Sequence, residues 1–151
     1  MNKVSKIIII FLLLLNNCSY KPILINQNLK FGINIKSLEG NKQVNSILKN
    51  KFRNYNEGDK VLDLSLETSK ERKIISKNSK GDPSIFEITV NVKIKIEDNK
   101  KIIIKEEISA KNTYDNISDK FELDKFEEII VKNLTENISN SILLSISNID
   151  N

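Results

Sequence analysis

The chain has 151 residues, 39% hydrophobic and 29% charged, with a formal charge of +4. That balance excludes a disordered chain, because the apolar share suffices for a core, and it excludes a polybasic nucleic-acid binder, because the charge is small and scattered. With no His, no Trp and a single Cys, the sequence offers no imidazole base, no spare thiol nucleophile and no His/Cys metal site, so no enzyme, metal or cofactor chemistry is expected.

The paired carboxylates Glu106/Glu107 and Glu127/Glu128 do not alter this. Neighbouring residues point in different directions on a strand or a helix, so neither pair makes an acid/base dyad. The four glycines form no phosphate loop.

At the N-terminus, Lys3 and Lys6 precede an unbroken apolar run, Ile7 to Leu15, followed by Asn16, Asn17 and Cys18. A membrane-spanning helix needs about 20 apolar residues, so this run is too short to cross and suits the core of a secretion signal. A bacterial lipoprotein signal has this form and ends on a Cys that is lipidated. Leu15 fits its box; Asn17 departs from the small residue usual before the Cys. We therefore read residues 1–17 as a lipoprotein signal peptide, Cys18 as the lipidation site, 18–28 as a lipidated tether and 29–151 as one domain. Pro22 keeps the tether extended.

Leu29, Phe31, Ile33 and Ile35 alternate with polar residues, predicting a first strand with one apolar face. Gly40 is a break and Asn41 an N-cap. Val44, Ile47, Leu48, Lys51, Phe52 and Tyr55 then trace a helical stripe, closed by Glu57-Gly58-Asp59. Val61 to Ile75 begins as a second strand, with Leu62, Leu64 and Leu66 on one face. Its continuation from Ser69 to Lys80 holds Lys70, Arg72, Lys73, Lys77 and Lys80, and we expect it to form the connection to the next strand, closed by Gly81-Asp82-Pro83. The plain reading of this basic stretch is a solvated hairpin tip. The sharper one is an electropositive tip meeting phosphates or other acidic groups, with Arg72 foremost because a guanidinium can grip phosphate with two hydrogen bonds.

Residues 85–97 alternate throughout and predict the third strand. Asp98-Asn99-Lys100 is a tight hairpin turn. The fourth strand spans 102–114, with Ile102, Ile104, Ile108, Ala110 and Tyr114 on one face together with Glu106, which we place within reach of solvent. Residues 119–147 predict one long helix, started by a capping box of Asp119 and Glu122. Phe126, Ile130, Leu134, Ile138 and Ile142 recur every four residues, flanked by Leu123, Val131, Ser141 and Ser145. A spacing of four drifts around a 3.6-residue helix, as packing on a twisted sheet requires.

The resulting fold class is α+β: a two-layer sandwich of order β-α-β-β-β-α, with a four-stranded, mainly antiparallel sheet covered on one face by two helices. At this point the chain resembles the LptE family of lipopolysaccharide-assembly lipoproteins. Leu15-Asn-Asn-Cys18-Ser-Tyr20-Lys-Pro22 is similar to the start of that family, with Ser19 in place of the usual Gly. Ser109-Ala-Lys-Asn-Thr-Tyr114, followed by a long helix containing Asn133-Leu-Thr-Glu-Asn-Ile138, is similar further on.

The resemblance implies a non-enzymatic outer-membrane lipoprotein that plugs a β-barrel partner of the LptD kind. Such a protein assists barrel assembly and the delivery of lipopolysaccharide to the outer leaflet. The implied position is on the periplasmic side and inside the barrel, anchored through Cys18. Lys70, Arg72, Lys73 and Lys77 would be the contacts to lipopolysaccharide phosphate. Two other functions compete with it: a periplasmic auxiliary lipoprotein of an ABC-type lipid transporter, and a structural lipoprotein without a transport role.

Overall fold

The computed structural model describes residues 31–58 and 60–150; the expected signal peptide, Cys18, the expected tether and Leu29 of the expected first strand lie outside the described residues. In chain order the elements are β1 (Phe31–Gly40), α1 (Lys42–Phe52) with a 3-10 turn Arg53–Tyr55, β2 (Lys60–Lys77), β3 (Pro83–Asp98), β4 (Lys101–Asp115) and α2 (Lys120–Ser147) with a 3-10 turn Asn148–Asp150. The architecture is the two-layer α+β arrangement of that order.

The four strands lie in the order β1-β2-β3-β4. β2, β3 and β4 form an antiparallel meander, and β1 joins the edge parallel to β2. The β3–β4 turn is two residues, Asn99 and Lys100, both at positive φ, the geometry that matches the twist of paired strands. Parallel pairing of β1 and β2 needs a crossover, which α1 supplies.

The end of β1 is sharply defined. Gly40 has φ +97°, and a Cβ there would collide with the carbonyl of Thr68. Asn41 then donates its N–H to that carbonyl at 3.1 Å and caps α1, its Oδ1 accepting from the N–H groups of Gln43 and Val44 at 3.1 Å. Thr68 holds the corner from below, donating its hydroxyl to Asn45 Oδ1 at 2.6 Å.

The core lies between the sheet and the two helices. Alternate residues of β3, from Phe86 through Ile96, are all buried on the helix side. Each such side chain contributes about 1.5–3 kcal/mol on leaving water. From α1, Val44, Leu48 and Phe52 face inward. Along α2 the buried face turns, from Leu123, Ile130 and Leu134 at the start to Ile138, Ile142, Leu143 and Ile146 at the end. α1 packs against α2 as well as against the sheet, and Val131, Thr135 and Ser139 of α2 are fully buried. The two hydroxyls are satisfied within the helix, by the Val131 carbonyl at 2.7 Å and the Glu136 carbonyl at 2.7 Å.

Four expectations are corrected. Phe126 is 41% exposed, because the start of α2 faces the sheet through Leu123 and Ile130, and Ser141 is exposed while Ser139 is buried. Ile102 is 50% exposed, because a register shift between Ile96 and Glu97 sets it opposite Glu97 and out of the apolar row. The basic stretch is not a connection at all: Lys70, Arg72, Lys73 and Lys77 belong to β2 and pair with β3, and only residues 78–82 turn.

Candidate functional site

β2 is longer than β1. The β1 ladder ends at Gly40 and Thr68, while β2 continues for nine residues, Ser69 to Lys77, paired with β3 alone. Of the side chains proposed from the sequence, Lys70 and Arg72 fall on the helix side of this stretch and Lys73 on the other side, since Thr68 is buried toward the helices and sides alternate. Lys80 sits in the turn, which Asn78 organises by accepting from the N–H groups of Lys80 and Asp82 at 2.9 Å each.

Arg72 is the most constrained of the group. Its Nε donates to Glu127 Oε1 at 2.8 Å and to Tyr114 Oη at 3.2 Å, and its guanidinium carbon lies 3.7 Å from the centre of the Phe86 ring. Tyr114 in turn donates its hydroxyl to Glu127 Oε1 at 2.7 Å. Burial, and then the hydrogen bond to Glu127, push the Tyr114 phenol up to about 12. One carboxylate thus ties β2, β4 and α2 together. Glu127 and Tyr114 were not singled out from the sequence as members of this site. The available clue was Tyr114 itself, a hydroxyl on an apolar row that needs a polar partner.

The other cations are looser. Lys73 pairs with its strand neighbour Glu71 at 3.1 Å, both largely exposed. Lys70 donates to Gln43 Oε1 at 3.3 Å. Among the described residues, Lys70 and Lys77 have no carboxylate partner.

The middle of the sheet face away from the helices is polar, with Val61 and Ile102 exposed toward one end. Lys93 meets Glu67 at 3.1 Å, Lys111 meets Glu87 at 3.2 Å, and Ser109 donates to Asn91 Oδ1 at 2.6 Å. At its β1 end, Glu97 is 8% exposed and receives Lys36 at 2.9 Å and Lys95 at 3.4 Å; the Lys36 hydrogen bond holds its carboxyl below the usual carboxylate range. Midway lies an open depression of about 530 Å³, with Ser37 and Ser65 among its lining and Lys95 and Lys105 directly opposed across the β3–β4 ladder. Glu106 lies on the helix side, as the sequence predicts, exposed and accepting from Ser145 at 2.9 Å.

Among the described residues no group of three or more His, Cys, Asp and Glu side chains could hold a metal ion, and no helix is long and apolar enough to cross a membrane. The surfaces are suited to binding: a basic half-strand with an open edge, and a broad hydrophilic face.

No protein-family model matches the chain, and no curated protein matches it in sequence. Solved structures do match. Rare lipoprotein B from Shewanella oneidensis superposes with a TM-score of 0.62 at 17% identity, over 80% of this chain and 95% of that one. A minor lipoprotein from Acinetobacter baumannii gives 0.58 at 14% identity, over 78% and 90%. A lipoprotein B from Nitrosomonas europaea gives 0.56 at 17%, over 78% and 82%. At these identities the likeness is one of fold.

Proposed function

We propose that the chain is a non-enzymatic, lipid-anchored outer-membrane protein that seats inside a β-barrel partner of the LptD kind, assists its assembly and helps deliver lipopolysaccharide to the outer leaflet. The observation that carries this reading is the joint occurrence of a Leu-Asn-Asn-Cys start at 15–18 and a fold shared over nearly the whole length of proteins described as lipoproteins. The hydrophilic sheet face supports the placement. A barrel lumen is polar and wet, and a face of Lys, Glu, Ser and Asn suits it where it would not suit acyl chains. Lys70, Arg72, Lys73 and Lys77 supply the anion-facing surface.

Acyl chains on Cys18 hold the protein to the membrane, at about 0.8 kcal/mol per buried methylene, and more than one chain is needed for a firm anchor. The test is purification of the C-terminally tagged full chain in mild detergent, beside its Cys18→Ser variant. The wild type should bring down an outer-membrane β-barrel, and the Ser variant should remain an unprocessed or mislocalised precursor. Recovery of inner-membrane permease subunits would assign the chain to an ABC-type lipid transporter, and recovery of neither would leave a structural lipoprotein. A Ser variant that is processed and membrane-bound as before would remove the anchor.

A further inference from the structure

The nine residues of β2 beyond Thr68 form a sheet edge that β1 leaves open. Gly40 and Asn41 turn the chain out of the sheet at the level of Thr68. α1 then leads back to the start of β2, which lies beside the start of β1, so it does not run on along the free edge. The Thr68 carbonyl points toward β1, since it accepts from Asn41. In a regular strand the backbone groups of every second residue point the same way, and the β2–β3 register is unbroken from Asp63 to Ile74. The N–H and C=O groups of Lys70, Arg72 and Ile74 therefore point into the place that a continued β1 would occupy. Among the described residues nothing bonds to them there.

The chemistry of this edge narrows its occupant. Residues 69–77 carry Lys70, Arg72, Lys73 and Lys77 against the single acid Glu71. Ile74 and Ile75 are about half exposed at its far end. Edge lysines repel stray neutral and basic strands, and the same charges admit an acidic one. We propose that Ser69–Lys77 of β2 accepts an extended segment of a partner protein as an added strand, with acidic side chains on the helix side, beside Lys70 and Arg72, and uncharged ones on the other side. Main-chain bonds to Lys70, Arg72 and Ile74 supply the pairing, and the side chains supply the choice of segment. The inference rests on the proposed function only in requiring a protein partner, and it assigns the basic half-strand to that partner and not to lipid phosphate.

The test uses the full chain in detergent with a synthetic peptide of roughly ten residues alternating Glu and Val, blocked at both ends. A peptide of the same composition with all Glu preceding all Val is the control. At about ten times the Kd, amide exchange at Lys70, Arg72 and Ile74 should slow about tenfold. Glu71 and Lys73, already turned toward β3, should be protected before the peptide is added. Lys70→Ala removes a charge and should weaken binding up to about fivefold. Lys70→Pro also removes an outward N–H, which an edge strand tolerates, and should weaken it by more than about tenfold.

Exchange in the unaltered chain decides the matter even if the proline variant does not fold. No binding, or equal binding of the control peptide, overturns the proposal. So does binding that leaves those three amides unprotected, which is charge adhesion alone. Protection by lipopolysaccharide micelles, or by raising the concentration of the chain itself, would name the lipid or a second copy as occupant and overturn it too. A peptide that binds as expected while no barrel co-purifies would leave this inference standing and remove the barrel reading.

Discussion

Tyr114 shows how one side chain can fix the state of its neighbours. Its hydroxyl donates to Glu127 and accepts from Arg72, and its ring sits between Phe86, at 5.8 Å, and Phe126, at 6.0 Å. The folded phenol titrates near 12 against an ordinary 10, so the folded protein binds this proton more tightly than the unfolded chain. The corresponding stability is fully present below pH 10 and is lost as pH rises through 12. Glu127→Gln removes a charge that opposes ionisation and should bring the Tyr114 titration back toward its ordinary value, read as tyrosinate absorbance against pH. A titration that stays where it was would show that burial alone sets it. The same variant should cost about 1–3 kcal/mol in chemical denaturation, since Arg72 and Tyr114 lose a charged partner.

At the scale of elements, α2 carries most of the lid over the sheet and shows what a sequence pattern can and cannot fix. Its existence, start and drifting apolar row were legible: Asp119 caps it, accepting from Phe121 and Glu122 at 2.8 and 3.0 Å, and Ile130, Leu134, Ile138 and Ile142 are buried. Burial of Thr135 and Ser139 was not legible, because they continue a second buried row with Val131 and Leu143 at every fourth residue but their hydroxyls break its apolar pattern. Ile130→Ala should cost about 2–5 kcal/mol, while Ile129→Ala, one residue away but 56% exposed, should stay within about 0.5 kcal/mol. Equal losses in urea unfolding would mean that the helix is rotated from the orientation described. The basic half of β2 was misplaced for a related reason. Charged residues on both faces of a strand erase the alternation that marks it, and only the pairing with Phe86, Ile88 and Val90 on β3 shows it to be a strand. The polar face was visible in the sequence as the second member of each alternation, but the depression beside Lys95 and Lys105 depends on register.

For the molecule as a whole, the parallel edge strand separates two classes of contact. The tip of the β3–β4 hairpin joins Asp98 to Lys101, and β2 reaches β3 through a five-residue turn, so the meander can zip from local starts. β1 meets β2 only across the crossover, Phe31 beside Lys60 and Gly40 beside Thr68. Such distant closure is slow relative to hairpin formation. The meander with α2 should therefore acquire protection first, and β1 with α1 should dock onto it afterwards. Pulse-labelled amide exchange during refolding should show residues 86–96 protected before 33–38; simultaneous protection would mean a single nucleus spanning all four strands. The order matters because β1 is the first strand after Cys18 in the chain. The last strand to close is the first to follow the proposed lipid in sequence, so a protein held by its N-terminus during export completes its meander while its first strand is still unpaired.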